Sequence, residues 1–238
     1  MAGAGSRFIK AGYTMPKPMI DVMGEPMIVK ALKHLPMADK YIFVAQEDHL
    51  KAGLEAILKS IHSHLYIPYR SITIIPIKSL TAGAACTCLL ADRDISDEPL
   101  MIANCDQVSI FSSMDFKEAA KGVDGLICTF KSDSPAFSYV NLDSQGYVTH
   151  AVEKTVLDSK LATCGIYYWD NGRDFVHAAR QMVRNGQMAT VNGEFYVCPV
   201  YNYNIKAGHS IRTFDVKEHY SLGTPEELQT YLDIHQCK

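Results

Sequence analysis

Three short runs, Tyr41–Gln46 (YIFVAQ), Ile72–Ile77 (ITIIPI) and Leu100–Asn104 (LMIAN), are rich in β-branched and aromatic residues and read as strands. Between the first two, Leu50, Leu54, Ile57, Leu58 and Ile61 recur at steps of four, three, one and three, which places them on one face of a helix. A second helix is expected over residues 82–92, between the second run and the third. This alternation of strand and helix restricts the chain to βα units around a largely parallel sheet.

Beyond Asp106 the pattern changes. Gly125–Phe130 and Ser138–Leu142 read as strands, and Asp143-Ser-Gln-Gly146 is a turn leading into a strand over Tyr147–Val152. An antiparallel insertion or extension is expected there. Cys164–Trp169 reads as a further strand and Arg173–Arg184 as a helix. Thr224 followed by Pro225 opens a C-terminal helix, with Thr224 as N-cap and Pro225 at the first helical position.

A chain of 238 residues that is 47% hydrophobic can bury one substantial core, and no linker, repeat or low-complexity segment divides it. A single domain over residues 1–238 is expected. The net charge of −3 and the absence of a dense Lys/Arg run disfavour nucleic acid as a partner. No apolar run approaches the roughly 18 residues that a bilayer span needs, so no membrane association is expected. The seven cysteines contain no CxxC pair and lie mostly in apolar segments, which fits reduced thiols in a cytoplasmic protein. His62 and His64 lack a carboxylate or Cys partner at ligand spacing and read as a surface helix end.

Chemistry-bearing residues concentrate near the N-terminus. Gly3 and Gly5, in the run Ala2-Gly3-Ala4-Gly5-Ser6-Arg7, form a loop whose backbone N–H groups can approach phosphate oxygens unobstructed. A Gly-rich turn without a phosphate role is the plainer reading of that loop alone. Lys17 stands between Pro16 and Pro18, whose fixed φ angles aim its ammonium. Gly24 then supplies a turn and Pro26 the start of a helix. Asp106 ends an apolar strand, where open α/β sheets bind ligands and where a carboxylate suits Mg²⁺; a turn-forming aspartate is the structural alternative.

Together, the Gly3-to-Arg7 loop, Pro16-Lys17-Pro18 and Gly24-Glu-Pro-Met-Ile28 resemble the N-terminal signature of the sugar-phosphate nucleotidyltransferases. The resemblance implies a Rossmann-like three-layer α/β sandwich with a mainly parallel mixed sheet and a small antiparallel extension. It also implies transfer of a nucleoside monophosphate from an NTP, a pyrimidine one favoured, to a sugar 1-phosphate, with Mg²⁺ as cofactor and release of pyrophosphate. Such products feed surface polysaccharides. By the same resemblance Arg7 binds the β- and γ-phosphates and Lys17 bridges the α-phosphate and the acceptor. Asp106 holds the metal, and Ala2, Gly3, Gly5, Ser6, Gly83, Ala84 and Asn104 line the nucleotide site.

Val152-Glu153-Lys154 resembles the family's E-K-P, whose lysine holds the acceptor phosphate, although Thr155 replaces the proline. Glu153, Gly165 and Tyr167 would line the acceptor pocket. Relatives often carry a second metal-binding aspartate where Ser221 stands, which leaves Asp215, Glu218 or water to serve. In the family a central strand precedes the Gly-rich loop, which here opens at Met1, so the natural chain is expected to begin earlier. Two other readings stay open: a cytidylyltransferase acting on a phosphocholine-like acceptor, and a catalytically inactive nucleotide-binding regulatory subunit. The pattern is compatible with a homo-oligomer.

Overall fold

The β-branched runs form strands and the period-3.6 stretches form helices. The computed structural model describes Met1, Gly3 and residues 5–65 and 71–236, with the backbone alone at 63–65 and 236. Its strands are β1 (Tyr41–Gln46), β2 (Ile72–Ile77), β3 (Leu100–Ala103), β4 (Gln107–Ile110), β5 (Gly125–Lys131), β6 (Ser138–Leu142), β7 (Val148–Glu153), β8 (Leu161–Trp169), β9 (Ile211–Asp215) and β10 (Glu218–Ser221). The α-helices are α1 (Ser6–Lys10), α2 (Met27–Leu32), α3 (Glu47–His49), α4 (Glu55–Leu65), α5 (Ala84–Leu89), α6 (Ser113–Ala119), α7 (Gly172–Arg184), α8 (Tyr201–Lys206) and α9 (Pro225–Gln236). The chain forms two compact units, one made of Met1–Leu80, Asn104–Ile110 and Glu218–Lys238, the other of Thr81–Ala103 and Phe111–Lys217.

In the first unit β1 and β2 pair in parallel, from Tyr41 opposite Ile72 to Gln46 opposite Ile77. Between them the chain passes through α3, a π-turn over Leu50–Leu54 and α4. The apolar residues share one core, although Gly53, at φ 113° and ψ −4°, breaks the expected single helix before Leu54: Leu54, Leu58 and Ile61 are buried with Phe43 and Ala45, and Leu50 and Ile57 pack beside them. A second cluster unites Phe8, Ile20, Val22 and Met27 with Val108, Leu222, Leu228 and Tyr231. It ties α1 and α2 to the antiparallel pair β4–β10, in which Ser109 faces His219 and Gln107 faces Ser221. At the start of α9, Thr224 Oγ1 accepts from the Glu227 N–H at 3.2 Å, the expected cap.

The second unit is built on a sheet ordered β7-β6-β8-β5-β9, with β3 also pairing with β8. The strand β8 is its axis, pairing antiparallel with β3, β5 and β6. Its register with β5 shifts between Ile127 and Thr129, and Gly165, at φ 72°, supplies the left-handed backbone there. The β6–β7 ribbon is the antiparallel extension, and Asp143 Oδ1 accepts from the N–H groups of Gln145 and Tyr147 in its turn. Trp169 stacks on Tyr201 at 4.3 Å, and its Nε1 donates to Asn204 Oδ1 at 3.0 Å. These contacts seat α7 and α8 on the sheet, whose inward face they cover with Phe175, Val176, Ala179 and Met182.

The fold is thus mixed α/β with a mixed sheet. Parallel pairing occurs in β1–β2 and β5–β9, and the other pairs are antiparallel. Several boundaries differ from expectation. Strand β8 starts at Leu161, and α5 begins at Ala84, because Gly83 takes a non-helical backbone, φ 119° and ψ 174°, and ends at Leu89, short of the 92 expected. Among the described residues, no helix is long and apolar enough to cross a membrane.

Candidate active site

In the first unit the glycine loop turns into α1 at Gly5, which has φ 62° and ψ 23°. A Cβ on Gly5 would lie 3.5 Å from Lys17 Cβ, so the loop and the lysine are near neighbours. Phe8 anchors α1 through a side chain only 1% exposed, while Gly3, Ser6 and Arg7 are exposed. Ala2 lies outside the described residues.

Pro16 caps a single 3₁₀ turn, Lys17–Met19, and the Met19 N–H closes it on the Pro16 carbonyl at 2.8 Å. That turn directs Lys17 inward. Its ammonium donates to Asp106 Oδ2 at 2.5 Å and to the Gly223 carbonyl at 2.9 Å, and it sits 5.4 Å from the centre of the Phe8 ring. Asp106 stands between β3 and β4, and its carbonyl accepts from the Leu222 N–H at 2.8 Å, extending the β4–β10 ladder by one bond. Asn104 lies two residues before it and is exposed.

Two further groups border this pair, and sequence reasoning passed over both. His219 Nδ1 is 2.9 Å from Ser109 Oγ, and burial pushes its pKa down to about 4 against the opposing pull of Asp106. The imidazole is therefore neutral near pH 7. Glu227 folds back over Gly223, with Oε2 2.9 Å and Ser221 Oγ 3.4 Å from the place a Gly223 Cβ would occupy. Asp106, Glu227, Ser221 and the Gly223 carbonyl supply oxygen atoms of the kind Mg²⁺ prefers; among the described residues, no group of three or more His, Cys, Asp or Glu side chains stands together to hold a metal ion. Glu218 sits at the far end of β10, opposite Ile110, and accepts from Tyr220 Oη. Asp215 accepts from Thr129 Oγ1 at 2.6 Å. Cys105 has its thiol pushed up by burial, consistent with a packing role.

In the second unit Glu153 ends β7 opposite Ser138, whose hydroxyl donates to its carboxylate. Burial raises the Glu153 pKa, with the Ser138 hydrogen bond and the Lys154 charge opposing. Lys154 follows with φ 55°, a left-handed backbone that a lysine seldom adopts. Its N–H donates to the Phe137 carbonyl at 3.0 Å, and Thr155 Oγ1 donates to the Glu153 carbonyl at 3.3 Å. The Lys154 ammonium is exposed to solvent and donates to Tyr196 Oη at 2.5 Å.

Gly83, Ala84, Gly165 and Tyr167 also belong to this unit. A Cβ on Gly83 would lie 2.5 Å from the Phe195 N and O atoms, so its glycine is required by backbone approach. Ala84 opens α5 and is exposed. Gly165 is buried at the β8 irregularity, and Tyr167 is 5% exposed with Oη 2.9 Å from Thr163 Oγ1. The structure thus gathers Gly5, Lys17 and Asp106 in one unit, and Glu153, Lys154 and Tyr167 in the other.

A family model described as nucleotidyl transferase matches residues 1–190. Among curated proteins, no sequence matches the chain. A nucleoside-diphosphate-sugar pyrophosphorylase from Vibrio cholerae RC9 superposes with a TM-score of 0.82 at 24% identity, covering 98% of each chain. A Bacillus anthracis protein described as a glucose-1-phosphate thymidylyltransferase, in complex with sucrose, gives 0.75 at 17% identity, covering 98% of this chain and 91% of its own. A UDP-glucose pyrophosphorylase complexed with UDP-glucose gives 0.75 at 15% identity over 99% of this chain and 96% of its own. At such identities these likenesses establish the fold.

Proposed function

Because the chain belongs to the nucleotidyl transferase family, we propose that it transfers a nucleoside monophosphate from a pyrimidine NTP to a sugar 1-phosphate in a Mg²⁺-dependent reaction. The observation that carries this reading is the Lys17–Asp106 pair, a cation and a carboxylate from distant segments held 2.5 Å apart beside the glycine loop. An oxygen of the acceptor phosphate forms a bond to the α-phosphorus. The bond from that phosphorus to the bridging oxygen breaks, and pyrophosphate leaves with the electron pair. The nucleophile is already an anion, so the protein's task is to offset repulsion between anions and to stabilise charge at the α-phosphate.

In this reading Lys17 contacts the α-phosphate and the acceptor, Arg7 the β- and γ-phosphates, and Lys154 the acceptor phosphate. Asp106 would hold Mg²⁺, with Ser221 and Glu227 as neighbouring oxygen donors, and the ion would supply positive charge to offset that of the triphosphate. Gly3, Gly5 and Ser6 offer backbone and hydroxyl groups to phosphate, and Glu153 meets the hydroxyls of the acceptor. The reaction belongs in the cytoplasm, where NTPs are made, and its product suits a surface-polysaccharide precursor.

Pyrophosphate release across CTP, UTP, dTTP, ATP and GTP, each with sugar 1-phosphates and phosphocholine, tests the reading. Turnover with one pyrimidine NTP and a sugar 1-phosphate is expected, and loss of turnover on chelation of Mg²⁺. Turnover with phosphocholine alone would overturn the acceptor class, and silence across the panel would overturn catalysis.

A further inference from the structure

We infer that Tyr196, held by Glu194, is the positioning residue that fixes Lys154 for the acceptor phosphate, an inference that rests on the reading of Lys154 given above. Lys154 is exposed and its side chain has four rotatable bonds, so left alone it would sample many directions. It is instead held at both ends. The left-handed backbone fixes its root, and the ammonium donates to Tyr196 Oη at 2.5 Å while lying 4.6 Å from the centre of the same ring. Tyr196 Oη in turn donates to Glu194 Oε2 at 2.7 Å.

The chain of donors has one direction, from Lys154 through Tyr196 to Glu194. It requires a protonated phenol, and burial raises the Tyr196 pKa, as does its hydrogen bond to Glu194, while Lys154 pulls the other way. An ammonium carries three donors. One is engaged by Tyr196, which leaves two to meet phosphate oxygens. Glu194 stands one hydroxyl away, so the array is close to neutral before an anion arrives.

The loop that carries Tyr196 is itself anchored. Val191 and Glu194 exchange both backbone hydrogen bonds at 3.0 Å across a turn whose Asn192 and Gly193 have φ of 52° and 79°. Next, Phe195 donates to the Ala82 carbonyl at 2.8 Å and accepts from the Ala85 N–H at 3.0 Å, in the space left by the missing Cβ of Gly83. The segment at 82–85, expected at the nucleotide site, is thus joined by backbone hydrogen bonds to the loop that aims the acceptor lysine. None of these links was visible in the sequence, where Lys154 and Tyr196 are 42 residues apart.

Tyr196→Phe removes the hydroxyl and keeps the ring, and Glu194→Gln removes the charge that orients it. With the best NTP and glucose 1-phosphate, both variants are expected to raise KM for the sugar phosphate about tenfold while KM for the NTP and the thermal midpoint stay near wild type. Independently of turnover, acetylation of Lys154 by acetic anhydride, followed by mass spectrometry, is expected to run severalfold faster in both. Unchanged labelling overturns the inference, as does a KM for the sugar phosphate equal to wild type. A fall in thermal midpoint with both KM values moving together also overturns it, because it marks a purely structural role. If the wild type releases no pyrophosphate with any pair, the proposed function fails, and the labelling still decides whether Tyr196 positions Lys154.

Discussion

Lys17 Nζ lies 2.5 Å from Asp106 Oδ2, although the two residues are 89 positions apart. The same ammonium reaches the Gly223 carbonyl, so one lysine joins three segments of the first unit. With side-chain exposures of 16% and 29%, the pair is partly solvated, and its loss should cost only about 1 kcal/mol of stability. Its effect on turnover should be far larger. Lys17→Ala withdraws a charge aimed at the reacting phosphate and is expected to lower kcat by about a hundredfold or more, equivalent to roughly 3 kcal/mol. Pyrophosphate release and urea unfolding on the same variant separate the two effects.

Lys154 offers a test in which stability and function move in opposite directions. Its φ of 55° costs a non-glycine residue on the order of 1 kcal/mol, which glycine avoids. Lys154→Gly is expected to unfold at higher urea than Lys154→Ala, by about 1 kcal/mol, while both lose use of the acceptor. Equal unfolding midpoints would show that the left-handed backbone stores no strain.

What the sequence made legible was local. The face formed by Leu50, Leu54, Ile57, Leu58 and Ile61 declares itself through spacing alone, and its most deeply buried members form the core that the spacing implies. Thr224 and Pro225 mark the start of α9 because a cap and a missing N–H act within one turn. Lys17 and Asp106 could each be singled out by residue type and neighbours, the first by its prolines and the second by the apolar strand before it. Contacts across long separations were not legible. Strands β4 and β10 are four residues each, and the polar Ser109–His219 pair joins positions 110 apart. Gly83 is expected in the nucleotide site, and the space a Cβ would need there is taken by the Phe195 backbone. A glycine reports the need for space without naming the occupant.

That occupant makes Gly83 one of the least tolerant positions in the second unit. A Cβ there would stand 2.5 Å from two Phe195 backbone atoms, at a φ of 119° that L side chains rarely adopt. Backbone cannot step aside as a flexible side chain would. Overpacking and dihedral strain each cost roughly 1–3 kcal/mol, so Gly83→Ala is expected to destabilise by about 3 kcal/mol or more. Chemical unfolding followed by Trp169 fluorescence, which reports this unit, provides the measurement.

Glu153 carries the pH dependence most open to test. The residue is 8% exposed, and burial raises the pKa of its carboxyl above the ordinary glutamate range. A raised folded pKa means that the folded protein holds this proton more tightly than the unfolded chain. The stability associated with it is present below pH 4.5 and is lost as pH rises through the folded pKa. Glutamine keeps the shape and still accepts from Ser138, but carries no charge to desolvate. Glu153→Gln is therefore expected to melt above wild type at pH 7 and to converge with it near pH 4, even as use of the acceptor falls. Thermal melts of both proteins between pH 4 and 7 decide the matter: a gap that stays constant or widens toward low pH would mean that burial does not burden this carboxylate.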